Sequence, residues 1–329
     1  LTTVIMATKL RGSRLESELD KARTQGSWGR VAELVKAAKS RQSGLPSHQV
    51  KLIDAEAEIE LFLESHADIL CPRPSNSDGL RASEERLRAV LSDEDAGEAA
   101  KMEAHLLLAK CAYAKAAYEE AFSHVEQSGM DRATTQFRTV RALRLVAESY
   151  VIKGLCMETS SRVEKTPSSS SSSDMESRRR LRVLSCFEKA ADFSITYVDE
   201  LEKALNPLLR GSQGGITTPT AITNHRNGSH HDKIGEILEY CLERVAKLSL
   251  KQLGPERKSG DEHVGWYRRI MECLASKSTG ERLQQRISWQ LAELLLRAFP
   301  DASPIKTLTA QNNALGLYMG MPQRSIFVP

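Results

Sequence analysis

The stretch from His105 to Gln127, HLLLAKCAYAKAAYEEAFSHVEQ, constrains the fold more than any other part of the chain. Its apolar residues recur at the spacing of two amphipathic helices that are joined by a tight turn. Two helices that cross closely need small residues at the crossing and large residues beside it. The sequence predicts the crossing at Ala109, Ala116 and Ala121, with the space beside it filled by Leu108, Tyr118 and Val125.

This spacing is typical of a tetratricopeptide repeat, which is a helix, a turn and an antiparallel helix. One such unit cannot bury its apolar face alone, so we expect further hairpins on both sides. The spacing Gly26-x-Trp28 matches Ala116-x-Tyr118 and indicates one of them. Aromatic residues make up only 5% of the chain, and long runs of Ala, Leu, Glu, Lys and Arg favour helix over strand. We therefore predict an all-α fold, an α-solenoid of irregular tetratricopeptide-like helical hairpins.

Periodicity and composition divide the chain into seven segments. Met6 looks like a natural start, and six consecutive serines occupy positions 168–173. Such a polar tract cannot bury enough apolar surface to offset the entropy lost on ordering. The predicted segments are a leader at 1–5, helical hairpins at 6–158 with the repeat at 105–128, a disordered Ser-rich insertion at 159–179, a helix completing a repeat at 180–209, a flexible loop at 210–231, helical hairpins at 232–299 and an irregular tail at 300–329.

The sequence favours a binding protein over an enzyme. It contains no Gly-rich phosphate loop, no G-x-S-x-G and no H-E-x-x-H. Paired carboxylates such as Glu119 and Glu120 are adjacent in a predicted helix, and adjacent helical residues do not share a face. A formal charge of +3 is too small to indicate nucleic acid, and no apolar run is long enough to cross a bilayer. We expect no catalytic residue and no cofactor.

Three polar clusters have both a functional and a structural interpretation. His225, His230, His231 and Asp232 could ligate a metal, but no cysteine lies near them and we expect a solvated loop. The acidic turn at 92–97 lacks the spacing of a calcium loop. The run Arg178–Arg180 beside the serines could be recognised by a kinase or by anionic lipid, or it could be a solvated helix start. We expect no metal site.

Short blocks along the chain carry a more specific signal. The chain resembles the N-terminal part of the tetratricopeptide repeat protein 7 family, and the matching blocks follow one another in order. They are Met6–Lys9, Gly12–Glu16, Trp28, Glu33–Lys36, Leu108–Lys110, Leu143–Cys156, Cys186–Ala190, Gln290–Arg297 and Ile326–Phe327. The Ser-rich and Gly/Thr-rich loops do not match, and the later regular repeats of the family are absent.

The resemblance implies a non-catalytic role. Members of the family are scaffolds of the plasma-membrane phosphatidylinositol 4-kinase type III alpha complex, where they bind the kinase, a hyccin-type subunit and a palmitoylated membrane anchor. It therefore implies a cytosolic protein held peripherally at the plasma membrane through its partners. The alternative is a peptide-binding adaptor of the chaperone-clamp type, which needs Lys, Asn and Arg lining one groove. The partner-binding residues stay unknown at this stage.

Overall fold

The computed structural model describes residues 15–40, 45–66, 78–132, 137, 139–163 and 172–210, together with scattered positions between 237 and 248. Within these ranges the chain is helical, and no strand occurs among them. This confirms the all-α prediction. The helices are α1 (15–24), α2 (Trp28–Ser40), α3 (Ser47–His66), α4 (Arg81–Leu91), α5 (Glu98–Ala114), α6 (Tyr118–Ser128), α7 (Val140–Val163) and α8 (Ser172–Arg210).

The helices stack as consecutive hairpins. Each helix from α2 to α7 packs against the next one along the chain, and the first helices of successive hairpins also touch, α3 with α5 and α5 with α7. This layered contact pattern is that of an α-solenoid, in which each repeat buries its apolar face against its neighbours. We call α3, α5 and α7 the first-helix layer.

Two separate apolar cores form in this stack. The main core runs from α3 to α8 and continues into positions 237–248. A smaller core joins α1 and α2 to one face of α3, where Ile53 and Ala57 lie one turn apart. The opposite face of α3, with Leu52, Ala55 and Ile59, belongs to the main core. Helix α3 is therefore the element that the two cores share.

The hairpin α5–α6 is the repeat that the sequence indicated. Leu108, Ala109, Ala121 and Val125 are all buried in the main core. Tyr118 is half-buried and packs edge-on against Tyr113, with the ring centroids 5.7 Å apart. Four of the six predicted positions are thus fully enclosed where the helices meet, and a fifth packs at their edge.

Ala116 does not lie at the helix crossing, and that part of the prediction is wrong. It sits half-buried in the turn between α5 and α6 with φ of +60°. Gly26 holds the matching place between α1 and α2 with φ of +66°. The position is occupied by a small residue because the turn needs a left-handed backbone, which a side chain disfavours.

Substitutions at these two turns are expected to change the free energy of unfolding in opposite directions. In Ala116→Gly, the left-handed cost of about 1–2 kcal/mol disappears, while added unfolded-chain entropy offsets part of the gain, so we expect about 0.5–1 kcal/mol of stabilisation. Gly26→Ala should destabilise by about 1 kcal/mol for the converse reason. Urea unfolding followed by circular dichroism measures both changes. A loss of stability in Ala116→Gly would show that the turn does not need φ above zero.

The Ser-rich insertion is shorter than predicted at 159–179. Helix α7 continues to Val163 and α8 already begins at Ser172, so only residues 164–171 of that range lie outside the described helices. Two contacts hold the early part of α8. Arg180 pairs with Glu176 at 3.1 Å within the helix, and Arg179 donates to the Met157 carbonyl of α7. Residues 180–209 all belong to α8, which ends at Arg210.

The close approach of α7 and α8 depends on a glycine. A Cβ atom at Gly154 would lie 3.0 Å from the ring of Phe187 on α8. The same ring meets Tyr240 edge-on at 5.9 Å, which continues the stack beyond α8. The predicted leader, the loop at 211–231, the tail and most of the hairpins at 232–299 lie outside the described residues.

Candidate functional site

A band of charged side chains lies between the first-helix layer and the hairpin α1–α2. Helix periodicity places these residues, because positions three or four apart share one helical face. Glu56 and Glu60 are one turn apart on α3, and Arg141, Arg144 and Glu148 follow the same rule on α7. Most of the band is buried, with Glu56 only 2% exposed and Lys110 of α5 only 4% exposed.

Four charged residues of the band form a closed cycle of ion pairs, which we call the first ion-pair ring. Arg23 of α1 lies 2.6 Å from Glu56 and 3.2 Å from Glu103 of α5. Arg141 of α7 completes the cycle, with its Nε 2.8 Å from Glu56 and a further contact to Glu103. Two positive and two negative groups therefore join α1, α3, α5 and α7 with no net charge.

A second ion-pair ring lies beside the first. Lys110 Nζ of α5 is 2.5 Å from Glu60 Oε1 and 2.6 Å from Glu148 Oε2. Arg144 of α7 reaches the same two carboxylates, at 2.6 Å for Glu60 and 3.3 Å for Glu148. This ring is also neutral, and all four of its members are buried.

Ion pairing opposes the effect of burial on the pKa of Glu56, Lys110 and Arg141. Burial alone would raise the pKa of Glu56, but Arg141 and Arg23 outweigh it and the pKa is lowered. Burial would likewise lower the pKa of Lys110, but Glu148 and Glu60 raise it. For Arg141, burial prevails and the pKa is lowered to about 10, which still leaves the group protonated at neutral pH. Buried pairs of this kind add little net stability, but removing one partner leaves an uncompensated buried charge.

The hairpin α1–α2 folds back across the first-helix layer. Trp28, the first residue of α2, lies under the guanidinium of Arg144, with 5.2 Å between Cζ and the ring centroid. Arg23 reaches Glu103, which is 80 residues away in sequence. A regular solenoid keeps each repeat in contact with its immediate neighbours only. The first hairpin therefore covers the first-helix layer at α5 and α7. Because this layer lies beneath the hairpin, we also call it the inner layer.

The carboxylates of the two rings are all engaged in ion pairs. Each carboxylate of the two rings is neutralised by two cations, so it is held as an ion-pair partner rather than as an acid or base. Burial raises the pKa of the Cys156 thiol to about 12 and, as the largest cause, that of Cys186 to about 11, which keeps both thiols protonated. Within the residues that the structure covers, no group of three or more His, Cys, Asp or Glu could hold a metal ion.

The polar clusters from the sequence fall in different places. In the acidic turn, the Asp95 amide donates to the Asp93 side chain at 3.0 Å, which is a local turn contact. In the basic run, Arg179 and Arg180 make the α7 and Glu176 contacts described above, while Arg178 is exposed. His225, His230, His231 and Asp232 lie outside the described residues.

A pair of histidines links α5 to α6 in the central repeat. The Nδ1 atoms of His105 and His124 are 3.2 Å apart, which requires a proton on only one of them. Burial lowers the pKa of both rings, helped for His105 by the proximity of His124. Around His124, Glu120 and Glu84 favour the charged form and Arg88 opposes it.

This pair should make the repeat sensitive to mild acid. Each ring has a folded-state pKa below the ordinary 6.5, so its contribution to stability is complete above pH 6.5. That contribution is lost as the pH falls through 6.5 toward the folded-state pKa. We expect the free energy of unfolding to fall more steeply between pH 7 and pH 5 in the wild type than in the double variant His105→Gln/His124→Gln. Leu61→Ala, which lies outside this repeat and removes no titrating group, should keep the wild-type slope. Equal slopes in all three proteins would show that the two histidines do not cause the loss of stability at mild acid pH.

The ion-pair rings were not found by sequence reasoning. Glutamates and lysines are spread along the helices at spacings that suit surface ion pairs, and spacing alone does not separate those from buried pairs. The sequence signal for the rings was the apolar residues on either side of these charges. Glu56 lies between Ala55 and Ala57 and Glu60 between Ile59 and Leu61. Lys110 lies in the apolar run of α5. Charged residues in such surroundings are paired when they are buried.

Stacked helical hairpins with an internally paired inner layer define a helical-repeat protein of the tetratricopeptide type, a class whose members act as scaffolds and adaptors. None of the described helices is both long and apolar enough to cross a membrane. The chain belongs to the family described as tetratricopeptide repeat protein 7 N-terminal, whose family model matches residues 4–319. The resemblance noted in the sequence is thereby confirmed.

Individual relatives agree with this assignment. Tetratricopeptide repeat protein 7B of Homo sapiens is 30% identical over 303 residues, which cover 91% of this chain and 33% of that protein. Its Mus musculus counterpart is 29% identical over 310 residues, and tetratricopeptide repeat protein 7A of Homo sapiens is 29% identical over 287 residues. The chain spans about a third of the length of these relatives. Their names refer to repeats and not to a reaction.

Proposed function

We propose that this chain is a non-catalytic scaffold of the plasma-membrane phosphatidylinositol 4-kinase type III alpha complex. In this role it helps to recruit and stabilise the kinase where phosphatidylinositol 4-phosphate is made. Its partners are the kinase, a hyccin-type subunit and a palmitoylated membrane anchor. It lies in the cytosol and is peripheral at the plasma membrane through those partners. Membership of the family, together with the role that the resemblance implies, supports the proposal.

The observation that carries the scaffold role is the closed inner layer. A scaffold needs a frame whose elements keep fixed positions, so that separate partners meet in one geometry. The first ion-pair ring joins four helices from four successive hairpins. The second ring ties α3, α5 and α7 again. A shifted helix would break several pairs at once, and the buried charges left without partners would be costly.

The same layer argues against the peptide-clamp alternative. A carboxylate clamp offers basic side chains to the terminal carboxylate of a bound peptide. Here Lys110 and Arg144 are buried and each contacts both Glu60 and Glu148. A peptide carboxylate would have to displace two internal carboxylates from the same cation. The basic side chains of the layer are therefore engaged within the chain.

Reconstitution with purified components tests the proposal. The 329-residue chain is mixed with the kinase and the hyccin-type subunit, singly and together, and analysed by size-exclusion chromatography. In parallel, a chaperone C-terminal peptide is titrated into the same chain and followed by fluorescence polarisation. We expect co-elution with at least one complex component and no saturable peptide binding. Saturable binding of the peptide without co-elution would replace the scaffold by the clamp.

A further inference from the structure

The first hairpin is joined to the rest of the solenoid by two different kinds of contact. Its apolar residues pack in the smaller core with Ile53 and Ala57 of α3, apart from the main core. Its reach to α5 and α7 is electrostatic, through Arg23 to Glu103 and through Trp28 to Arg144. Elements with few apolar contacts to their surroundings open as separate cooperative units. Apart from the hairpin's own residues, the buried members of its apolar core come only from α3 and not from α5 or α7.

The layer beneath the hairpin has one more negative than positive group in its two rings when the hairpin is removed. Without α1, the two rings keep the carboxylates of Glu56, Glu60, Glu103 and Glu148 but only the cations of Lys110, Arg141 and Arg144. One negative charge is then uncompensated, next to the position that Arg23 occupied. The face of Arg144 that Trp28 covers would also be open to an aromatic ring.

We propose that the hairpin α1–α2 is an internal competitor that keeps this layer closed, and that its displacement opens a docking surface for a partner segment presenting an arginine next to an aromatic side chain. Arg23 and Trp28 supply that pair within the chain, on either side of the turn at Gly26. A guanidinium suits the site because it can contact both Glu56 and Glu103, as Arg23 does. This inference does not depend on the identity of the kinase complex.

The covalent link explains why the internal hairpin holds the site. A segment tethered by a short linker acts at an effective concentration of the order of millimolar, so a free competitor of equal affinity is excluded at micromolar concentrations. Weakening the internal contacts removes this advantage without touching the layer. The affinity for an added segment should therefore rise when Arg23 is changed, although the docking residues themselves are intact.

The test uses the full chain and a labelled peptide of residues 13–42 with the native sequence. The variants are Arg23→Ala and Trp28→Ala, and the control is Arg30→Ala, which removes a guanidinium from an exposed α2 pair with Glu33. Hydrogen exchange with mass spectrometry should show amides of 15–40 exchanging at least about tenfold faster in both test variants, with α6 and α8 unchanged. Peptide binding should be at least about tenfold tighter for these variants than for the wild type or Arg30→Ala.

Three outcomes would overturn the proposal. In the first, the exchange of 15–40 is the same in Arg23→Ala and Arg30→Ala. In the second, the peptide binds the wild type and the variants equally, or binds none of them. In the third, Arg23→Ala or Trp28→Ala loses the helical circular dichroism of the whole chain, because the proposal requires α3 to α8 to stay folded without the hairpin. A peptide that carries Arg23→Ala itself should bind at least about tenfold more weakly.

Discussion

Replacing Lys110 by methionine is expected to lower the free energy of unfolding by about 3–5 kcal/mol, because Glu60 and Glu148 would remain buried with one cation fewer. Lys110 is 4% exposed and lies 2.5 Å and 2.6 Å from those carboxylates. Methionine has a similar length, so the loss measures charge pairing rather than volume. Urea unfolding followed by circular dichroism gives the change.

Arg30→Ala is the matched control for the Lys110 prediction. Its ion pair with Glu33 is exposed at both ends, and exposed pairs contribute roughly 0–1 kcal/mol. A second comparison combines Lys110→Met with Glu60→Gln, which removes one of the two carboxylates left without the lysine. This double variant should be less destabilised than the sum of its single changes. A Lys110→Met protein as stable as Arg30→Ala would show that the second ring is not buried.

The second large effect is expected for Leu108→Ala, which should cost about 2–5 kcal/mol through lost apolar burial and the cavity that remains. Leu108 is 2% exposed in α5, at the centre of the main core. Leu61→Ala removes the same atoms from α3 at a site that is 37% exposed, so its cost should be much smaller. Equal effects at the two sites would contradict the placement of the repeat core.

The repeat at α5–α6 could be predicted because its signal is local. Leu108, Ala121 and Val125 follow helical periodicity within one short stretch, and their burial needs only the adjacent helix and its neighbours. The same reasoning failed at Ala116, since a small residue satisfies either a close helix crossing or a left-handed turn. Its likeness to Gly26 was visible in the sequence, and only the backbone angle decides between the two roles.

The ion-pair rings and the fold-back could not be predicted, because both depend on contacts distant in sequence. Glu56 pairs with Arg23 and with Arg141, which are 33 and 85 residues away. A helical wheel shows that Glu56 and Glu60 share a face, but not that α1 and α7 bring cations to it. The ends of the Ser-rich tract were misjudged for a related reason. Composition marks polarity, whereas contacts such as Arg179 with α7 decide where the helix begins.

A double-mutant cycle on Arg23 and Glu103 tests the central claim, that the first hairpin lies across the inner layer. The two residues belong to the first and third hairpins and are 80 residues apart in sequence. The free energies of unfolding of Arg23→Ala, Glu103→Ala and the double variant, compared with the wild type, give their coupling. The fold-back predicts a coupling of roughly 0.5–3 kcal/mol. Strictly additive losses would mean that Arg23 does not reach α5 and that the inner layer is open.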